Sequence, residues 1–156
     1  MASTITAASL VVTITESIFL NGKDHGAENT LTLTSINEVT KRIVTVPTSE
    51  VILIAFSTAV AAGTFVESTV KYIRITNKDD TNHVGLIFRN EDSDEFSIKL
   101  DKGQSFVYNG DVSGGVVDTM DAAATAVTPN TFADLVDITA IADTASVDVE
   151  IFIAST

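Results

Sequence analysis

The chain has no cysteine and no tryptophan, and only two prolines and two histidines in 156 residues. Without cysteine there can be no disulfide framework and no thiolate metal site. The two histidines, His25 and His83, show no HxH or HxxxH spacing and supply no transition-metal ligand set. Neither has a sequence neighbour that makes it a catalytic base, so both are expected on surface loops. Basic residues are scarce: nine Lys and Arg against 21 Asp and Glu, a formal charge of −12. Binding phosphates needs clustered Lys and Arg, so the balance argues against nucleic acid and against an anionic membrane surface as partners. It fits a solvated acidic surface or a basic protein partner. The longest apolar run, Val51 to Phe56, is far too short to span a bilayer. The opening MASTITAASL lacks a basic n-region and a long apolar h-region, and no signal peptide is expected. No stretch sustains the 3.6-residue period of an amphipathic helix.

What remains is a chain rich in Val, Ile, Thr and Phe, residues that fit pleated, half-buried surfaces. Its length suits one domain with a substantial core. The clearest patterning lies between Val70 and Asn109. Val84, Leu86 and Phe88 alternate with polar or small residues, as do Phe96, Ile98 and Leu100 in the next run. Period 2 marks half-buried strands, and short acidic segments between the runs predict a β-meander. Leu10, Val12 and Ile14 mark an earlier strand, with Glu16 at a bulge or strand end. Asn21-Gly22 signals a turn opening a polar loop to Asn29. Further strands are expected over 30–36, 39–46 (ended by Pro47), 51–56, 135–141 and 147–153. The unbroken apolar run 51–56 predicts a strand covered on both faces. Residues 57–68 are expected to form a loop with one helical turn. The low-pattern segment Gly110–Thr131 is expected to be a long loop, with a short helix over Ala122–Ala124 capped by Asp118.

Nine or ten short strands with polar turns predict an all-β fold: an antiparallel β-sandwich, jelly-roll-like, over residues 9–156, preceded by a small polar arm over 1–8. The expected core includes Val84, Leu86, Phe88, Phe96, Ile98, Leu100, Val149 and Ile151.

Few residues carry candidate chemistry. Calcium takes six to eight oxygens, and Asp92, Asp94 and Glu95 in the turn 91–95 are weak candidates; the turn lacks the glycine and spacing of an EF-hand loop. The plainer expectation is a solvated hairpin connection with no metal and no cofactor. Carboxylate pairs for glycoside hydrolysis are defined in space, so sequence leaves them open. Only Tyr72 and Tyr108 join the phenylalanines as sugar-stacking candidates, which weakens a carbohydrate-binding module. Gly114-Gly115 lacks the context of a phosphate loop.

The segments VVTITESIFLNGKD, KYIRITNKDDTNHVGLIF, FSIKLDKGQSFVYNG and SVDVEIFIAST together resemble the small, acidic, Thr/Ala/Val-rich β-proteins of tailed-bacteriophage virions. The resemblance rests on pattern and composition over most of the chain and transfers no site residue. It implies a non-enzymatic virion structural protein, made in the host cytoplasm. The favoured form is a capsid decoration or cement protein that self-associates as a homotrimer and binds the major capsid or another virion protein. A tail, neck or fibre component is one alternative, and a carbohydrate-binding or adhesin module is another.

Overall fold

A computed structural model describes residues 4–113, 115–116 and 132–156. Among these the regular elements are strands, apart from a single 3-10 turn at Glu67–Thr69. In chain order they are β1 (Ala8–Glu16), β2 (Phe19–Leu20), β3 (Lys23–Asp24), β4 (Ala27–Ile36), β5 (Glu38–Val46), β6 (Val51–Ser57), β7 (Phe65–Val66), β8 (Val70–Asn77), β9 (Val84–Asn90), β10 (Glu95–Leu100), β11 (Ser105–Tyr108), β12 (Leu135–Ala142) and β13 (Val147–Ser155). Two sheets form a sandwich: β10-β9-β12-β6-β7 on one side and β11-β8-β13-β5 on the other. Pairing is antiparallel except between β6 and β7. The expected antiparallel sandwich is present, while its jelly-roll subclass is not established by this strand order.

The inner rows explain why these segments pair as they do. Val147, Val149, Ile151 and Ile153 of β13 alternate inward with Asp148, Glu150 and Phe152 facing out, and all four are buried. Ile73 and Ile75 of β8, Val84, Leu86 and Phe88 of β9, and Ile138 and Ala140 of β12 complete one continuous core. Each fully buried Val, Leu or Ile contributes roughly 1.5–3 kcal/mol against conformational entropy.

Three expectations are corrected here. The run 70–109 is not a meander: β8 sits between β11 and β13, whereas β9 and β10 belong to the opposite sheet. The chain crosses between sheets at 78–83 and returns at 101–104. Alternation cannot distinguish a sheet neighbour from a strand facing across the core, because both point apolar residues at the same interior. Phe96 is 39% exposed rather than buried. It lies on β10, the edge of its sheet, and stacks on Phe88 at 4.8 Å with its other face open; Ile98 beside it is half-buried. Finally, β6 is not covered on both faces, since Ile52 is 63% exposed.

Smaller differences have local causes. β4 takes in Ala27–Asn29, so the polar loop is shorter than its composition implies. β1 begins at Ala8 and ends at Glu16. The expected helix over Ala122–Ala124 with its cap Asp118, and Gly114 of the double glycine, lie outside the described residues.

Candidate interaction surface

β1 and β4 belong to neither main sheet. They pair with each other as a two-stranded ribbon, in the register Leu10↔Leu33, Val12↔Leu31, Ile14↔Asn29 and Glu16↔Ala27. This register puts Leu10, Val12, Leu31 and Leu33 on one face and the threonines Thr13, Thr30 and Thr32 on the other, where the Thr13 and Thr30 hydroxyls lie 3.2 Å apart. At the tip, β2 and β3 turn through Asn21 (φ 51°) and Gly22 (φ 75°). Two successive positive φ values are what an Asn-Gly hairpin turn supplies. Gly26 closes the ribbon's throat: its N–H donates to Asp24 Oδ1 at 2.8 Å, and a Cβ there would collide with the Glu16 carbonyl.

The near half of the ribbon is seated. Leu10, Val12, Leu33 and Ile36 pack on Tyr72, Phe152 and Ala154, which face outward from the β11-β8-β13-β5 sheet. Tyr72 and Phe152 meet edge to face at 5.9 Å. Arg74 lies over the Phe152 ring and donates to Glu150 Oε1 at 2.6 Å; Lys41 reaches the other Glu150 oxygen at 3.3 Å. The Arg74 hydrogen bond, aided by Lys41, holds the Glu150 carboxyl below the usual carboxylate range despite desolvation. The far half is not seated. Ile14 is 50% exposed and Phe19 73% exposed, and Ile18 and Leu20 are also exposed. Nothing in their periodicity distinguishes these residues from buried strand residues.

The outer face of the other sheet carries a second constellation. Arg89 binds three carboxylates: Glu50, Glu95 at 3.0 Å and Asp137 at 3.5 Å. Thr139 Oγ1 also donates to Glu50 Oε1 at 2.7 Å. The Thr139 hydroxyl and Arg89 hold Glu50 below the usual range, whereas burial pushes Asp137 up against the pull of Arg89. A split pair of carboxylates is an acid–base motif in enzymes. Here the guanidinium between them occupies the place a reacting atom would need. The hollow alongside, lined by Ile87, Glu95, Phe96 and Ser97, holds about 170 Å³ and lies open to solvent. The arrangement is a charge network that ties β9, β10 and β12 to the segment before β6.

The calcium candidates are not brought together. Glu95 is engaged with Arg89. Asp94 turns back onto Asn90, its N–H donating to Asn90 Oδ1 at 2.7 Å. Ser93, at φ 69°, completes that turn, and Asp92 is exposed. Among the described residues no three His, Asp or Glu side chains converge as a metal site. The other acidic turn is a structural clasp: Asp79 Oδ1 accepts from the N–H groups of Thr81 and Asn82, which holds its carboxyl low. The histidines stand apart. His83 Nδ1 lies 3.6 Å from Asp143 Oδ2, and His25 is at the ribbon tip, its N–H donating to the Ile18 carbonyl. Tyr72 lies under the ribbon, and Tyr108 closes over Asp111, its hydroxyl donating to that carbonyl at 3.2 Å. Gly115, at φ 76°, donates its N–H to Asp134 Oδ1 at 3.0 Å.

No protein-family model matches this chain, and no curated protein matches it. Among the described residues no helix is long and apolar enough to cross a membrane.

Proposed function

We propose that the chain is a non-enzymatic structural protein that docks on other protein surfaces. Following the resemblance of its sequence, we propose a capsid decoration or cement protein of a tailed-bacteriophage virion. The observation that carries this is the ribbon: Phe19, Leu20, Ile18 and Ile14 are presented to solvent on an arm anchored to a well-packed sandwich. A two-stranded hairpin is marginal in water on its own, and exposed clustered apolar side chains mark interaction sites. The net charge of −12 suits a lattice with basic patches, so binding would weaken with salt. A tail, neck or fibre position would use the same contacts on a different lattice.

The test is re-binding to purified shells stripped of this protein. Wild type is expected to bind saturably and to weaken between low and high salt. Phe19→Ser with Leu20→Ser, both at the exposed tip, should weaken binding by about tenfold or more with unchanged thermal unfolding. Failure of the wild type to bind, together with tight binding to a glycan, would instead establish a carbohydrate-binding module.

A further inference from the structure

We infer that the ribbon segment Ile14–Ile18 of one copy docks on the outward row Val39, Lys41, Ile43 of β5 in a second copy. Among the described residues both surfaces carry exposed apolar side chains. Val39, Lys41 and Ile43 pair in register with Ala154, Phe152 and Glu150, so they lie on the sheet face that seats the ribbon's near half. Val39 and Ile43 are nevertheless exposed, and so are Ile14 and Ile18.

Three observations point to another copy of this chain as the occupant. The first is continuity. Ile14 and Glu16 extend the same ribbon face whose Leu10 and Val12 already pack on Phe152 and Tyr72. One ribbon face and one sheet face are thus already joined within the chain, and each continues beyond that contact. The second is charge. In sequence an acid lies between two apolar residues, Ile14-x-Glu16-x-Ile18, with Ile14 and Glu16 on one face of β1 and Ile18 just past its end. The β5 row presents a base between two apolar residues at the same spacing, Val39-x-Lys41-x-Ile43. Lys41 remains 60% exposed even while it touches Glu150. In a chain with only nine Lys and Arg, an exposed Lys between two exposed apolar residues is an unusual place for an acidic segment to land. The third is the sheet edge. Among the described residues β5 pairs with β13 along one side only, over nine residues without proline, and unpaired edges of that length favour association. Each copy carries one donor segment and one acceptor row, so copies can pair reciprocally or close into a ring. The inference does not rest on a virion role.

The test is sedimentation velocity on the full chain. Wild type is expected at a multiple of the 16.5 kDa chain mass. Glu16→Lys alone and Lys41→Glu alone should each weaken association by about tenfold, because like charges then face each other. In a one-to-one mixture of the two variants both contacts of a reciprocal pair are between opposite charges, so the mixture should associate more tightly than either variant alone. The double variant should approach wild type. Arg74 should still bind Glu150 in Lys41→Glu, and unchanged circular dichroism, with an unchanged melting temperature at a dilution where wild type is monomeric, would confirm that each variant folds. A wild type that stays monomeric at about 100 µM would overturn the inference. So would two single variants that associate like wild type, or a mixture that shows no recovery. Shell binding by Phe19→Ser/Leu20→Ser tests the lattice contact separately, since neither residue belongs to the segment proposed here.

Discussion

Asn77 is the most exacting test of how the two sheets are clasped. It ends β8 and is fully buried. Its Nδ2 donates to the carbonyls of Asn82 (2.9 Å) and Leu100 (3.1 Å), and its Oδ1 accepts from the Asp79 N–H at 2.8 Å. One side chain thereby ties the end of β8, the crossing at 78–83 and the end of β10. Asn77→Ala leaves the buried Leu100 carbonyl without its partner, at about 1–3 kcal/mol. The Asn82 carbonyl and Asp79 N–H are only partly buried, and water can replace the lost bonds at roughly 0.5–1 kcal/mol each. The expected total is about 2–5 kcal/mol. For a domain of this size that lowers the melting temperature by roughly 4–20 °C. Asn77→Asp separates hydrogen bonding from packing. It keeps the volume but removes both donors and places a charge at a fully buried position, so it should destabilise at least as much as alanine. Asp80→Ala, exposed in the same turn, should change stability by less than about 0.5 kcal/mol. Urea melts of the three variants provide the assay. An Asn77→Asp variant within about 0.5 kcal/mol of wild type would refute the clasp.

Phe88→Ala should cost about 3–5 kcal/mol, because Phe88 is buried between Phe96 and Phe106. Phe96→Ala, at a half-open edge, should cost clearly less, about 1–2 kcal/mol, and equal losses in denaturant melts would show that β10 is not an edge. Asp79 is held low by its hydrogen bonds from the Asn82 and Thr81 N–H groups. A depressed native value stabilises above the unfolded pKa, and the benefit is lost as pH falls through the native value. The stability gap between wild type and Asp79→Ala should therefore be full at neutral pH and narrow on acidification below the ordinary value of 3.8; a gap that widens there would contradict this.

The strands were legible because period-2 alternation is a local consequence of a half-buried sheet. Val84, Leu86 and Phe88 show it, and so do Val147, Val149, Ile151 and Ile153. The Asn21-Gly22 turn was legible for a similar reason, since its positive φ values are an intrinsic preference of those residues. Sheet membership was not legible. Whether β8 neighbours β9 or faces it depends on Asn77 and the 78–83 crossing, and alternation is the same either way. The Arg89 network was hidden for a different reason. Glu50 and Asp137 lie 39 and 48 residues from Arg89 and meet it only through the β6-β12-β9 order. The run Glu91–Glu95 shows the converse: neighbouring carboxylates in sequence are sent apart, Glu95 to Arg89 and Asp94 back to Asn90.

Where local chemistry and the global fold disagree is where function is to be sought. Through most of the sandwich they agree: the inner rows are apolar, and polar outer residues such as Glu150, Arg74 and Arg89 find partners. Disagreement appears in several places: Ile52, Val60, Val136 and Ile141 stand exposed on the other sheet and its loops, and the ribbon and β5 pair theirs with an acid and a base. Ile14, Ile18, Phe19 and Leu20 project from a hairpin that gains little burial from them, and Val39 and Ile43 stand open on a long edge strand. Edge strands are usually blunted by charge, proline or bulges. β5 has Lys41 on its outer face and neither of the other two protections along its nine paired residues. A protein selected only to stay monomeric would place polar residues at all six apolar positions with little loss to its core, because none of the six belongs to it. Their retention makes sense if the stability they withhold from the isolated chain is recovered at a contact. Replacing Ile14 and Ile43 by Thr keeps β-branching and should leave the monomer's melting temperature nearly unchanged while abolishing association. A melting temperature lowered at a dilution where wild type is itself monomeric would instead place these side chains in the fold of the single chain.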